Sequence, residues 1–299
     1  MVKKYGLLCI IAVIWAAVPI FLISSPFTLA EQNLEEVVTF ATIQPVLKET
    51  QPADVYFLTE TNTVISKNDK PEYDIFTNQE RKERQLPISL NAVEPYYGNK
   101  TVYLTFDDGP DPENTPLVLA MLKENNIKAT FFVVGSEVSK NTELIKQIYM
   151  DGHAIGNHTY NHVYRELYQS STAYIEQLQR NDKEIKNILN VRPRISRAPG
   201  GTAGHFTLEY WKALKAQGYI EVGWNISSGD ASNAKAGTIL QNVVNQTNKN
   251  TFLWSHAILL MHDGRGHSET IKALPSIIKF YKEQGFEFRV INATTPPAW

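Results

Sequence analysis

Lys-Thr-Val-Tyr-Leu-Thr-Phe-Asp-Asp-Gly-Pro, residues 100–110, is a short apolar run that stops on two carboxylates and a Gly-Pro turn. Its β-branched and aromatic side chains favour a strand, expected at residues 102–106, and Gly-Pro favours a sharp turn straight after it. From here to the C-terminus, short apolar runs alternate with stretches whose apolar residues recur every three or four positions. Further strands are expected at 130–134, 153–155, 194–197, 220–222, 257–262 and 286–291. Helices are expected at 115–123, 142–150, 172–189, 208–217, 236–245 and 269–284. About seven βα units in succession predict an α/β domain whose strands could close into a barrel, with its site at their C-terminal ends.

Upstream the texture differs. Lys3 and Lys4 precede an apolar run over residues 6–23, followed by Ser24, Ser25, Pro26 and a small-residue stretch ending at Ala30. Residues 1–30 are therefore expected to be a signal peptide or a membrane anchor, with the remainder exported and membrane contact made through this segment if it stays uncleaved. Residues 31–98 contain no glycine before Gly98 and are densely charged over 67–84, which predicts a linker or small extension whose fold the sequence does not specify.

Composition narrows the chemistry. With 29 Lys and Arg against 31 Asp and Glu, the chain offers no general attraction to nucleic acid, and no long basic block is present. The single cysteine, Cys9, lies in the first apolar run, so the rest of the chain has no thiol nucleophile and no thiolate ligand. A metal here must be held by nitrogen and oxygen. Neither a serine nucleophile elbow nor a phosphate-cradling glycine loop is present.

The unusual polar residues follow the expected strands. Asp107 and Asp108 end the first, and the turn after them can send the carboxylates apart, one to a metal and one left free. His158 and His162, four residues apart, would face one side if the segment turned helically. Two imidazoles and one carboxylate leave a coordination position open, and zinc is the default ion for such a set, although ferrous iron and other divalent ions such as Co2+ also suit it. A Lewis acid polarises an acyl oxygen and acidifies water, and a free carboxylate such as Asp107 could take the proton. Arg197 could keep Asp107 ionised by pairing with it. Gly200, in Pro-Gly-Gly, could offer its amide to an oxyanion. His262, tuned by Asp230, suits protonation of a leaving amine. Leu260 and Trp224 could line a small apolar pocket for a methyl group. His153, His205, His256 and His267 carry no comparable motif and are expected to be structural or exposed.

Taken in order, Thr-Phe-Asp-Asp-Gly, His-Thr-x-x-His, Arg-x-Pro and Leu-x-His resemble the polysaccharide deacetylase family, the NodB-homology domains of carbohydrate esterase family 4. The resemblance covers residues 99–293 and leaves a tail at 294–299. It implies a distorted (β/α) barrel and one divalent ion, usually zinc, held by Asp108, His158 and His162. It also implies Asp107 as catalytic base with Arg197 as its partner, and His262 as catalytic acid oriented by Asp230. Two positions depart from the family pattern, Gly200 where an aromatic residue is frequent and Ala231 where a tryptophan is. The implied activity is N-deacetylation of a cell-wall polysaccharide, on N-acetylglucosamine or N-acetylmuramic acid units. An O-acetyl esterase and an inactive wall-binding module are the alternatives. A ferrous oxygenase shares the ligand types but is at odds with the βα texture. The sequence carries no signal for an oligomeric state.

Overall fold

The computed structural model describes residues 54–58, 60, 69–91 and 93–298. The expected leader or anchor at residues 1–30, with Cys9, lies outside the described residues. In chain order the elements are Tyr56–Leu58 (β1), Glu72–Asp74 (β2), Asn78–Glu83 (α1), Thr101–Asp107 (β3), Thr115–Glu124 (α2) and Thr130–Val133 (β4). Next come Gly135–Lys140 (α3), Thr142–Met150 (α4), Ala154–Asn157 (β5), Tyr164–Leu167 (α5), Ser171–Leu189 (α6), Arg192–Pro193 (β6) and Ile195–Ser196 (β7). Leu208–Ala216 (α7), Ile220–Glu221 (β8), Ile226–Ser227 (β9), Ala236–Lys249 (α8), Ala257–His262 (β10), Ser268–Glu283 (α9) and Glu287–Phe288 (β11) complete the chain.

The main sheet runs β8-β7-β5-β4-β3-β10-β9, and all its ladders are parallel. β11 pairs with β3 at Thr101 and Val102, while β4 pairs with β3 further along at Thr105 to Asp107. Among the described residues β8 and β9 share no ladder, so the expected barrel is an open, distorted one. Because every strand points the same way, the C-terminal ends form a single rim.

Period-two alternation decides what faces the rim's interior. Val102, Leu104 and Phe106 of β3, with Phe131, Val133, Leu259 and Met261 from its neighbours, pack outward against the apolar faces of α2, α4, α8 and α9. Tyr103, Phe132 and Ile258 point the other way and join Ile195, Val222 and Ile291 in an inner cluster. Asp107 and His262 share the parity of that inner set, and the ladder places them directly opposite each other. The fold thereby delivers one carboxylate and one imidazole to the same interior without any help from loops.

The expected helices match the sequence pattern closely, and α6 has the sharpest ends. Ser170 caps α6 by accepting from the Ala173 amide, and Asn190 ends it in the left-handed region at φ 59°. The expected strand at 286–291 is shorter than its apolar run, with only Glu287 and Phe288 in a ladder. A strand at 226–227 escaped the sequence reading, since two paired residues carry no period. The C-terminal residues also pack inward: Ala298 is buried in the inner cluster, and its carbonyl accepts from Asn225.

Part of the stretch read as a linker or small extension is ordered by buried charge. β2 pairs in parallel with β1 and antiparallel with β6. Asp74, at the end of β2, is fully buried and accepts from Arg81 at 2.7 and 2.8 Å and from Arg194 at 2.7 Å. Thr77 caps α1 with a complete capping box, which presents Arg81 to Asp74.

Candidate metal centre and catalytic cleft

β3 ends on Asp107, and Asp108 leaves the strand in the left-handed region at φ 76°, so the two carboxylates separate as the turn requires. Asp107 Oδ1 accepts from Arg197 Nη1 at 2.9 Å, whereas Asp108 Oδ1 stands 3.4 Å from His158 Nε2 and 3.3 Å from His162 Nε2. The two histidines converge by a route that differs from the helical turn suggested by their spacing. Residues 158–162 are a loop, with Thr159 at φ 67° and His162 at φ 55°, and these two left-handed residues fold the second ring back onto the first. Their ring centroids are 5.0 Å apart.

Buried polar contacts fix this loop. His158 Nδ1 donates to the Arg197 carbonyl at 2.8 Å, which leaves the Nε2 lone pair aimed at Asp108. Asn157 accepts from the Thr159 amide and donates to Asp182 of α6, while Asn181 donates to the Val133 and Thr159 carbonyls. The sequence reading passed over Asn157, Asn181 and Asp182. Their signal was available, because Asn-Asp at 181–182 falls on the otherwise apolar face of α6, where polar groups must find partners.

Arg197 is fully buried, and each of its three nitrogens donates a hydrogen bond. It bonds Thr105 Oγ1 at 2.6 Å and the Val222 and Gly223 carbonyls at 2.9 Å, and its guanidinium lies 4.1 Å from the Phe132 ring centroid. Phe132 reaches that position because Gly156, next to it on β5, has no side chain: a Cβ there would lie 2.3 Å from the ring.

Across the ladder, His262 Nδ1 donates to Asp230 Oδ1 at 2.8 Å, and Asp230 Oδ2 accepts from the His262 amide and from Thr270 at 2.7 Å. Burial opposes charge on the His262 ring, but the hydrogen bond and charge of Asp230 outweigh it and push the pKa up to about 9. The ring stacks on His267 at 4.8 Å. His267, expected to be structural or exposed, thus touches the His262–Asp230 pair, and its place on a loop beyond β10 gave no periodic clue. His153 is buried and accepts from the Ala129 amide.

Of the remaining expected residues, Gly200 lies on the exposed rim at φ 71°. Trp224 packs at the inner cluster with Arg197 5.8 Å from its ring centroid, and Leu260 is buried on β10. The gap left by a glycine at position 200 is closed by Tyr164, whose hydroxyl would sit 2.6 Å from a Cβ placed there. A cavity of about 550 Å³ opens beside Asp108 and His162, with Asp111, Ser136, Glu137 and Arg265 on its walls.

The residues present fit a divalent ion. Asp108 Oδ1 is buried and has no hydrogen-bond partner, which is costly unless a cation meets it. Zinc ligands at about 2.0–2.2 Å and tetrahedral angles stand roughly 3.3–3.6 Å apart, and the two Asp108–His separations fall there. Without a cation, burial pushes the Asp108 carboxyl up, yet the neighbouring histidines hold it well below the ordinary carboxylate range, so it is an anion poised for one.

Comparison with known proteins finds the same arrangement of sequence and fold elsewhere. The polysaccharide deacetylase family model matches residues 95–222. A peptidoglycan-N-acetylglucosamine deacetylase of Bacillus cereus is 36% identical over 213 residues, which is 71% of this chain and 95% of the relative. Among solved structures, a Streptococcus mutans CE4 esterase superposes with a TM-score of 0.61 at 32% identity, covering 66% of this chain and 87% of its own. A polysaccharide deacetylase from Bacillus cereus gives 0.59 at 32% identity, over 64% of this chain and 92% of the other.

Proposed function

Because this chain belongs to the polysaccharide deacetylase family, we propose that it hydrolyses N-acetyl groups on the amino sugars of a cell-wall polysaccharide, with peptidoglycan N-acetylglucosamine as the first choice and N-acetylmuramic acid as the second. The observation that carries the reading is the division of labour between adjacent carboxylates. Asp108 faces two imidazoles, while Asp107 faces a buried guanidinium and lies opposite His262 on the ladder.

Asp108, His158 and His162 would hold the ion, zinc being the default for two nitrogens and one oxygen. When bound, it supplies a Lewis acid that polarises the acyl oxygen and acidifies water. Asp107 accepts the attacking water's proton on Oδ2, since Oδ1 is occupied by Arg197. His262 holds its Nδ1 proton on Asp230 and delivers the Nε2 proton to the departing amine. The Gly200 amide would donate to the developing oxyanion, a role supported by the left-handed turn that leaves this position without a side chain. The basic leader and apolar run at residues 1–23 support export, with the catalytic unit on the wall side of the membrane.

Zinc-loaded protein is expected to release acetate from peptidoglycan and from N-acetylglucosamine oligomers, and a chelator should stop release until zinc is restored. Absence of acetate from peptidoglycan, chitin oligomers and acetylated xylan alike would sink the enzymatic reading. The likeness to a CE4 esterase gives the O-acetyl reading its support, and acetate from xylan alone would select it.

The His262–Asp230 pair sets a pH limit. His262 must be protonated to act as the acid, and its raised pKa keeps it so up to about pH 9. Asp230→Asn removes the charge that raises it, so the alkaline limb of kcat/KM should move to lower pH by about 1–3 pH units. An unmoved limb would mean another group donates the proton.

A further inference from the structure

Tyr164 is an aromatic residue that the mechanism leaves unused although its ring meets His162, one of the three residues proposed to hold the ion. It opens α5, the single-turn helix that follows the histidine loop, and is 44% exposed despite its size. Its ring meets His162 edge-on at 5.5 Å, and its hydroxyl leans over Gly200. Any side chain at position 200 would collide with it, and the left-handed φ of 71° independently favours glycine there.

The ring is held rather than loose. Leu167, at the other end of α5, is fully buried in a cluster with Tyr174 and Leu178, and the Tyr168 amide closes the turn on the Tyr164 carbonyl. Tyr168 in turn donates to the Pro199 carbonyl at 2.6 Å and stacks on His205 at 4.0 Å, tying α5 to the Pro-Gly-Gly loop. A buttressed aromatic ring with an exposed apolar surface and one hydroxyl is suited to a ligand that is itself amphipathic. A pyranose ring has that character, with C–H faces and equatorial hydroxyls.

We propose that Tyr164 is a substrate-contacting residue, whose ring packs on the sugar entering the cleft beside His162 and whose hydroxyl hydrogen-bonds one of that sugar's oxygens. The proposal rests on the deacetylase reading of the cleft. It makes Tyr164 a determinant of affinity and KM, not of proton transfer, and it distinguishes the phenol's two contributions. The ring supplies apolar contact and the hydroxyl supplies one hydrogen bond.

The test uses zinc-loaded full chain in an Asp107→Asn background, so that the probe is not consumed, and titrates a β-1,4-linked N-acetylglucosamine tetramer calorimetrically. Tyr164→Phe is expected to weaken binding about threefold and Tyr164→Ala about tenfold or more, as befits loss of one hydrogen bond and then of the ring as well. With Asp107 restored, KM for acetate release should rise in the same ratios while kcat and zinc content stay within twofold of the parent. Unchanged affinity and KM in both variants would overturn the proposal. A loss that tracks zinc content would overturn it too, by showing that the ring only buttresses His162. Failure of the parent chain to release acetate would instead count against the deacetylase reading, and the affinity comparison would still decide Tyr164.

Discussion

Asp107→Asn is expected to lower kcat for acetate release by about 10²–10⁴-fold while leaving zinc content unchanged. The amide is nearly isosteric with the carboxylate but cannot accept a proton from water, so the variant removes the proposed base and keeps the shape. Zinc should stay because Asp108, His158 and His162 form the converging group and Asp107 Oδ2 is further from His158 Nε2, at 3.8 Å. The substitution also removes the negative charge of the one carboxylate that, among the described residues, accepts a hydrogen bond from Arg197. Some loss of stability is therefore expected alongside, because a buried guanidinium without its partner is penalised. Steady-state kinetics, elemental analysis and circular dichroism on the same preparation separate these effects. A variant that retains a tenth or more of the activity would exclude Asp107 as the base. If parent and variant bound wall polymer equally and neither released acetate, the chain would be a binding module.

The parts of this molecule that were legible in sequence share one property: each is written in a period or a motif. The strand 257–262 is found at its expected bounds because five apolar residues end on a histidine. The same alternation sends Asp107 and His262 to one interior, which makes their meeting predictable once the two strands are known to be neighbours. What escaped is decided by contacts distant in sequence. Asp74 lies 120 residues before Arg194, and nothing local marks the pair. Tyr164 lies outside every expected element, and nothing local marks it until the missing side chain of Gly200, 36 positions away, makes room for its hydroxyl. The convergence of His158 and His162 was anticipated through a helical turn, whereas two left-handed residues achieve it, and backbone choices of that kind leave only a faint trace in residue type.

The largest effect on stability is expected away from the chemistry, at Asp74. Its side chain is wholly buried against Arg81 and Arg194, themselves buried, so Asp74→Ala leaves two guanidiniums in the interior without their counter-ion. Removing one partner of such a cluster costs about 3–5 kcal/mol, because the remaining charge can neither rehydrate nor find a new anion. For a unit of this size each 1 kcal/mol lowers the melting temperature by about 2–4 °C, which puts the expected fall at roughly 6–20 °C. Asp74→Asn keeps the volume and some of the hydrogen bonding and should fall between Asp74→Ala and the parent. Acidity provides an independent check. Burial drives the Asp74 carboxyl towards the neutral form, but the hydrogen bond from Arg81 and the charges of Arg194 and Arg192 win and set its pKa below the ordinary value. A carboxylate with a depressed folded-state pKa stabilises fully above its unfolded value of about 3.9 and loses that contribution as pH falls through the folded value. The stability gap between parent and Asp74→Asn in urea unfolding should accordingly be full at neutral pH and shrink as the solution is taken below about pH 4. A gap that stays constant on acidification would show that Asp74 acts through packing, and a neutral-pH gap below about 1 kcal/mol would show that the three-stranded sheet is not held by this ion cluster.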